Sequence, residues 1–161
     1  MNRLSKFWIL AVLIIIVLWA VPTYANHHSS AETGIIKLKS SYSVEETADR
    51  LEAILQQRNI NLFGRIDHAA GAQSVGQELR PTQLMIFGNP NIGTPLMQCS
   101  QSVAIDLPQK ALIWLDETNQ TWLGYNDPAY LMTRHNLVGC EAVLDQLGQA
   151  LHAIATQYVQ E

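Results

Sequence analysis

The sequence is poor in charge and in cysteine. Only 15% of its 161 residues are charged, acidic residues outnumber basic ones by 14 to 10, and Lys and Arg form no cluster. The lack of a basic patch argues against nucleic acid or an anionic membrane as a partner. Its two cysteines, Cys99 and Cys140, are too far apart for the CxxC motif of thioredoxin-type redox proteins.

Catalytic signatures are missing as well. The sequence has no Ser-His-Asp order, no zinc-ligand spacing and no haem-attachment motif. The loop from Gly88 to Thr94 resembles a phosphate-binding loop, but a Walker A motif needs Lys after its second glycine, and here Thr94 follows Gly93. This loop therefore predicts either a weaker anion or carboxylate contact at the N-terminus of a helix beginning at Pro95, or a structural turn and cap.

A long apolar run is present near the N-terminus. Residues 7–21 contain no polar side chain, two basic residues precede them, and Thr23 and Ala25 satisfy the small-x-small rule for signal cleavage. The pattern predicts a secretory signal peptide over residues 1–25 and an exported protein, periplasmic or extracellular. The run is shorter than the roughly 20 residues of a spanning helix, and an uncleaved membrane anchor through residues 7–21 is the alternative. Cleavage leaves 8 basic and 14 acidic residues, a net charge of −6.

Cleavage after Ala25 also determines the chemistry of the new N-terminus. The mature chain then opens with Asn26-His27-His28. A free amine, two amide nitrogens and the His28 imidazole together supply four nitrogens in the square-planar arrangement that suits Cu(II) or Ni(II). The alternative, which we favour, is a disordered polar tail over residues 26–34 whose histidines bind nothing.

The rest of the chain has the pattern of one α+β domain over residues 35–158. Apolar residues alternate along residues 60–68, form four further short strand-like segments and repeat at helical spacing elsewhere, which predicts a two-layer sandwich of a roughly five-stranded sheet with packed helices. Ser43 and Glu46 form a capping box at the start of the clearest helix. Strands are predicted at residues 35–38, 60–68, 82–87, 111–115 and 121–125, and helices at 44–58, 69–76, 95–107, 127–134 and 140–158.

Several short motifs occur in order along residues 35–157. They are Ile66-Asp67-His68-Ala69-Ala70, Val75-Gly76, Leu79-Arg80-Pro81-Thr82, Phe87-Gly88-Asn89-Pro90, Gly93-Thr94-Pro95-Leu96-Met97, Asp106-Leu107-Pro108, Asp127-Pro128 and Arg134-His135, with Trp114, Trp122 and Tyr125. Together they resemble the domain of unknown function 302 family. The resemblance implies a compact α/β domain related in topology to the TATA-binding-protein-like folds, and often a homodimer. It implies no reaction.

His68 is the candidate functional histidine. Strict alternation along the strand at 60–68 places it on the face that the aliphatic residues bury, beside small residues that leave room for a ligand. A neutral histidine there serves as general base, ligand donor or metal ligand, or else is a core histidine bonded to a backbone carbonyl. The family motifs place further polar residues near it. The predicted binding site consists of His68, Glu78, Asn89, Gly93, Thr94 and His135.

The two cysteines both fall on apolar helical stripes, which predicts that Cys99 and Cys140 face inward. In an oxidising compartment they have one possible pairing, and a disulfide closing this loop would stabilise the domain by roughly 3–4 kcal/mol. Two buried free thiols are the alternative.

Three functions are compatible with these features. The leading hypothesis is an exported module that binds a small ligand in a cleft near His68 and the Gly88 to Thr94 loop, or that forms a homodimer through its sheet. The first alternative is a hydrolase-like enzyme with His68 as general base. The second is a structural or partner-binding envelope protein without a small-molecule site.

Overall fold

A computed structural model describes residues 33–159, with side chains up to residue 157. The predicted signal peptide and the predicted metal site at Asn26, His27 and His28 lie outside the described residues. Over residues 33–159, no helix combines the length and the apolar character of a membrane span.

The described chain forms an α+β fold around one sheet. All neighbouring strands are antiparallel, in the order β1-β5-β4-β3-β2. The predicted five-stranded sheet with packed helices is confirmed. In chain order the elements are β1 (Ile35–Ser40), α1 (Val44–Gln57), β2 (Asn61–Asp67), α2 (His68–Ser74), β3 (Thr82–Gly88), α3 (Pro90–Cys99), a 3-10 helix (Gln101–Ile105), β4 (Gln109–Leu115), β5 (Thr121–Asn126), α4 (Pro128–His135) and α5 (Glu141–Val159).

The core lies between one face of the sheet and the helices α1 and α5. Every second residue of the central strands points toward these helices, as alternation along a strand requires. The helices contribute apolar residues at 3- and 4-residue spacing, which places them on one stripe. The principal core residues are Leu51, Leu55, Met85, Phe87, Ile113, Leu123, Tyr125, Leu144, Leu147, Leu151 and Ile154.

Side-chain caps set the starts of two helices where the sequence predicts them. Ser43 Oγ accepts a hydrogen bond from the backbone nitrogen of Glu46 at 3.1 Å, at the start of α1. Asp127 Oδ1 accepts from the backbone nitrogen of Ala129 at 2.9 Å, at the start of α4. Each cap satisfies a backbone donor that has no partner within the helix.

Helix α3 begins a turn earlier than predicted. Asn89 caps it, with Oδ1 accepting from the backbone nitrogen of Asn91 at 2.9 Å, and Pro90 is its first residue. Thr94 and Pro95 therefore lie inside the helix. The predicted helix start at Pro95 is wrong, because the helix N-terminus is at Pro90.

A β-bulge in β2 changes which side chains face the core. The partners on β3 shift by one residue between Leu62 and Gly64, so Phe63 is an extra residue on β2. Residues beyond the bulge consequently occupy the opposite face from the one that strict alternation predicts. Arg65 faces α1 and pairs with three carboxylates of that helix, whereas Ile66 is 41% exposed on the other face.

His68 begins α2 instead of ending β2. The strand ends at Asp67, whose Oδ1 accepts a hydrogen bond from the backbone nitrogen of Ala70 at 2.9 Å and so caps the helix. His68 is exposed. The prediction that places this histidine on the buried face is therefore wrong, because the bulge reverses the alternation and the Asp67 cap ends the strand.

The open sheet face, opposite α1 and α5, carries partly exposed apolar side chains. Trp114 and Trp122 stack there with ring centroids 6.4 Å apart, and the ammonium groups of Lys37 and Lys39 lie over the two rings. Gly124 allows this arrangement, because a Cβ at that position would lie 3.1 Å from the Trp114 ring. We define the open sheet face by Ile66, Leu84, Ile86, Leu112, Trp114 and Trp122.

Candidate ligand-binding cleft

A mostly apolar cleft lies between α3, α5 and the neighbouring ends of β3 and β4. Its volume is about 500 Å³, within the range of small-molecule sites in proteins. Phe87 and Gln109 contribute from the sheet, and the segment before β4 contributes Leu107 and Pro108. The helices contribute apolar walls, which include Ile92, Met97, Leu147, Leu151 and Ile154.

The register of the sheet brings Gln109 to this cleft. Gln109 is the first residue of β4 and pairs with Phe87 of β3. It occupies the same face of β4 as Ala111 and Ile113, which are both buried. Gln109 itself is only 5% exposed. A glutamine therefore occupies a core-facing position of the strand, where an apolar residue is expected.

The amide of Gln109 has no hydrogen-bond partner among the described residues. Both its Nε2 and its Oε1 are buried and unpaired. Buried polar groups in native proteins are nearly always paired, and an unpaired one costs about 1–3 kcal/mol. The domain thus carries a destabilising polar side chain at the wall of its apolar cleft.

Gln83 shows how the same side chain is accommodated elsewhere in the sheet. It lies on β3, faces the helices and is 6% exposed. Its Oε1 accepts from Arg65 Nε at 2.8 Å, and its Nε2 donates to Glu45 Oε2 at 2.5 Å. Both amide groups of Gln83 are therefore satisfied, in contrast to those of Gln109.

Charge is confined to one point of the cleft lining. Arg58 is the single ionisable residue among the lining residues, and it is exposed. Its Nη2 donates to Gln157 Oε1 at 2.8 Å, which holds the guanidinium beside α5. An anionic group buried in the cleft would have no other cation to compensate it, so the cleft favours a neutral ligand body.

Three of the six predicted binding residues line the cleft: Asn89, Gly93 and Thr94. The Asn89 Oδ1 is engaged in the cap of α3. His68 and Glu78 do not line it, and both are exposed at the end of the sheet that carries α2. Glu78 borders a separate, shallow surface hollow together with neighbouring residues of the loop before β3.

His135, the sixth predicted residue, belongs to a different cluster. It is buried, with Nε2 2.6 Å from Asp106 Oδ2 and Nδ1 3.0 Å from Ser102 Oγ. Arg134 Nη1 lies 3.3 Å from the other carboxylate oxygen, Asp106 Oδ1. Ser102 and Asp106 come from the 3-10 helix and the residue that follows it, and tertiary packing brings His135 of α4 to them.

A disulfide joins Cys99 and Cys140. It connects the end of α3 with the residue that precedes α5, across 41 positions of sequence. Cys140 is buried, but Cys99 is exposed, so the expectation that both face inward is wrong for Cys99. The helix ends at Cys99, where the side chain can reach the surface and still pair.

Two groups outside the cleft have shifted pKa values. Hydrogen bonds from Trp122 Nε1 and the Thr118 hydroxyl, then from backbone amides, hold the pKa of Asp116 well below its usual range. Burial, reinforced by the charge of Asp127, raises the pKa of Tyr125 to about 12. The Tyr125 hydroxyl is also buried without a partner among the described residues.

A metal centre is not formed by the residues described. Over residues 33–159, no group of three or more His, Cys, Asp or Glu side chains is placed to hold a metal ion.

The sequence analysis missed Gln109, although a signal for it exists. Gln109, Ala111 and Ile113 alternate on the apolar face of the predicted strand. A polar residue in that series points to an exceptional position. Ser102 and Asp106 carry no such signal, since their relation to His135 arises only from tertiary packing.

The family model for the domain of unknown function DUF302 matches residues 36–154. The chain belongs to the DUF302 family. No biochemical function is attached to that family by its description. The motifs that carry the resemblance include Asn89, Gly93 and Thr94, and in this DUF302 domain those residues meet at the cleft.

Curated relatives of this DUF302 domain include two named fluoride-specific ion channel FluC 1. One, from Brucella suis, is 45% identical over 114 residues, covering 71% of this chain and 45% of the relative. The other, from Brucella abortus, is also 45% identical over 114 residues and is covered to 42%. The chain therefore spans less than half the length of these relatives, and their name describes the whole proteins.

A solved structure has the same fold. The crystal structure of an uncharacterized conserved DUF302 protein from Bacillus stearothermophilus superposes with a TM-score of 0.70 and 19% sequence identity. The match covers 78% of this chain and 98% of the other. At this level of identity the likeness concerns the fold alone.

Proposed function

We propose that this DUF302 domain binds a small, mainly apolar molecule that carries one neutral hydrogen-bonding end group. The observation that carries the proposal is the buried, unpaired amide of Gln109 at the wall of an apolar cleft of about 500 Å³. The apolar walls supply affinity through burial of ligand surface, and a polar contact fixes the orientation.

The ligand's end group follows from the chemistry of the amide. Gln109 offers one donor group, Nε2, and one acceptor, Oε1. Pairing with a bound molecule requires the Gln109 side chain to turn both buried atoms toward the cleft. A primary amide end group then pairs with it through two hydrogen bonds, whereas a carboxylate provides acceptors only and leaves Gln109 Oε1 without a donor.

The test compares octanamide with octanoate in thermal-shift titrations of the domain. Octanamide should raise the melting temperature with a saturable dependence on concentration, and octanoate should have less effect. In parallel, native mass spectrometry of the purified domain looks for copurifying small molecules. Absence of any octanamide shift at millimolar concentration, with no copurifying molecule, would contradict the proposal.

A matched pair of glycine variants locates the binding. A Cβ at Gly93 would meet only Leu107 Cδ1, at 3.7 Å, so Gly93→Leu places a side chain in the cleft without a backbone clash. Gly71, also helical, has nothing within 4 Å of its Cβ position, and Gly71→Leu is the control. Gly93→Leu should abolish the octanamide shift, and Gly71→Leu and His68→Ala should keep it.

We propose that the domain works outside the cytoplasm, after removal of residues 1–25. The basic and apolar pattern of these residues supports export, and the Cys99–Cys140 disulfide fits an oxidising compartment. N-terminal sequencing of the protein from an envelope fraction tests this proposal. The expected first residue is Asn26; a chain beginning at Met1 supports the membrane-anchored alternative instead.

Homodimerisation through the open sheet face is the second candidate function. Its support is the set of partly exposed apolar side chains on that face, which a second sheet would bury. Leu112→Lys, in the middle of the face, should shift the domain to monomers in analytical ultracentrifugation. Val75→Lys changes an equally apolar but separate residue, 71% exposed, and should not. A weak dimer has a Kd of roughly 100 μM. A wild-type domain that is still monomeric at about that concentration would contradict homodimerisation through the open sheet face.

The TATA-binding-protein-like topology implied by the resemblance also stays a proposal. The antiparallel order β1-β5-β4-β3-β2, with α1 and α5 packed on one face, supports it. We do not transfer fluoride conduction to this chain, because the relatives so named are more than twice its matched length.

A further inference from the structure

The cluster of Ser102, His135 and Asp106 has the connectivity of a nucleophile, a base and an orienting carboxylate. Ser102 Oγ lies 3.0 Å from His135 Nδ1, and His135 Nε2 lies 2.6 Å from Asp106 Oδ2. His135 and Asp106 are buried, whereas Ser102 is exposed. The hydroxyl of an exposed serine is thus hydrogen-bonded to a histidine that the protein interior holds in place.

The short contact to Asp106 fixes the tautomer of the neutral imidazole. A carboxylate accepts only, so Nε2 carries the hydrogen and donates it to Asp106. Nδ1 is then the unprotonated nitrogen and accepts from the Ser102 hydroxyl. Arg134 contacts the remaining carboxylate oxygen at 3.3 Å and restrains its rotation. The two ring nitrogens exchange the positions they have in serine proteases, but either can act as the base.

The surroundings of Ser102 suit an apolar substrate. Side chains at i and i+3 of a 3-10 helix lie above one another, which places Ile105 beside Ser102. Ile105 is 72% exposed, an unusual position for a large aliphatic side chain. Ser100 Oγ lies 3.0 Å from Ser102 Oγ, where its hydroxyl can donate to an oxygen that is losing its proton.

We propose that Ser102 is a nucleophile that accepts acyl groups from small carboxylic esters with an apolar acyl chain. Ser102 Oγ bonds to the carbonyl carbon while its proton passes to His135 Nδ1. The tetrahedral centre then expels the alcohol oxygen, which takes the proton back from Nδ1 and leaves an acyl-Ser102 ester. A water molecule repeats these two steps, releasing the carboxylic acid and restoring the serine. None of Ser102, Asp106 and His135 lines the cleft, and the proposal does not depend on ligand binding there.

The experiment uses a fluorophosphonate probe on the full-length and signal-free chains, with intact-mass and peptide mass spectrometry. The probe should form one adduct, at Ser102, with loss of fluoride. Ser102→Ala should abolish it, and since Ser102 is exposed this variant keeps the fold. Ser74, another exposed serine whose hydroxyl donates to the Gly71 carbonyl at 2.7 Å, is the internal control and should react at least tenfold more slowly.

A second variant separates activation from mere exposure. Asp106→Asn keeps the shape of the side chain but removes the acceptor that fixes the tautomer, and should slow labelling of Ser102 at least tenfold with an unchanged circular dichroism spectrum. With p-nitrophenyl hexanoate, the wild type should release a burst of one p-nitrophenolate per chain, absent in Ser102→Ala. Equal reactivity of Ser102 and Ser74, or no difference between wild type and Ser102→Ala, would overturn the proposal and leave Ser102 as a structural partner of His135.

Discussion

Replacing Gln109 with methionine should stabilise the domain. Methionine has nearly the same length and volume as glutamine, so the core and the cleft wall keep their packing. The substitution removes two buried polar groups, Nε2 and Oε1, that have no partner among the described residues. Removal of a buried polar group normally costs stability because its partner is left unpaired, and here no such partner exists.

The expected size follows from the cost of an unpaired group. One buried unsatisfied donor or acceptor costs about 1–3 kcal/mol, so Gln109→Met should raise the free energy of unfolding by at least about 1 kcal/mol. For a domain of this size, each kcal/mol corresponds to roughly 3–5 °C in melting temperature. A rise of about 3–15 °C is therefore expected.

Gln83→Met is the matched control. It makes the same chemical change at an equally buried position of the neighbouring strand, where both amide groups are bonded. The change leaves the half-buried Arg65 Nε without its acceptor, while the Glu45 carboxylate is exposed and regains water. Gln83→Met should therefore destabilise the domain by about 1–2 kcal/mol.

Guanidinium denaturation of both variants, followed by circular dichroism with intact disulfide, gives the two free energies directly. Opposite signs for the two variants are the predicted result. A loss of 1 kcal/mol or more in Gln109→Met would show instead that the Gln109 amide already makes favourable hydrogen bonds in the free domain.

Three further perturbations test other features. Replacing Cys99 and Cys140 together by serine should lower the free energy of unfolding by about 4 kcal/mol, because the disulfide closes a loop of 41 positions and so restricts the unfolded chain. Denaturant titration in parallel with the wild type measures this loss. The folded-state pKa of Asp116 lies below its unfolded value, so the Asp116 carboxylate stabilises the folded domain above about pH 4, and this contribution is lost as the pH falls. Asp116→Asn should therefore lose less stability on acidification than the wild type. The pKa of Tyr125 is raised to about 12, so the folded state is favoured below pH 10 and loses stability as the pH rises from about 10 to about 12. Tyr125→Phe should retain more stability in that window, and identical curves of stability against pH for the two proteins would contradict the shift.

Local signals made much of the fold predictable. The capping residues Ser43 and Asp127 mark the starts of α1 and α4, and the apolar stripe of α5 repeats over five turns. Such features depend on residues three or four positions apart, which a single sequence displays. The start of α3 was misplaced because Asn89-Pro90 and Thr94-Pro95 both have the form of a cap followed by proline, and only packing selects between them.

The bulge at Phe63 could not be predicted from its own strand. The alternation of residues 60–68 looks regular, and the extra residue is visible only against the partners that β3 supplies. A single inserted position reverses the faces of all later residues in the strand. For that reason the sequence directed attention to His68, which the structure places on the surface at the start of α2.

The candidate sites depend on contacts that are distant in sequence. Burial of Gln109 follows from alternation along β4, but its lack of partners depends on where α3 and α5 pack. Ser102 and His135 are separated by 33 positions and meet because the 3-10 helix and α4 are adjacent. No residue pattern along the chain contains that information.

The role of Gln109 in ligand binding is measured by the dissociation constants of octanamide for the wild-type domain and for Gln109→Met in isothermal titration calorimetry. Loss of the paired amide contact should weaken binding by roughly 5- to 150-fold, which corresponds to about 1–3 kcal/mol, while the same variant unfolds at a higher temperature. Equal dissociation constants for the two proteins, or no binding to the wild type, would contradict the claim that Gln109 is the polar anchor of a ligand-binding cleft.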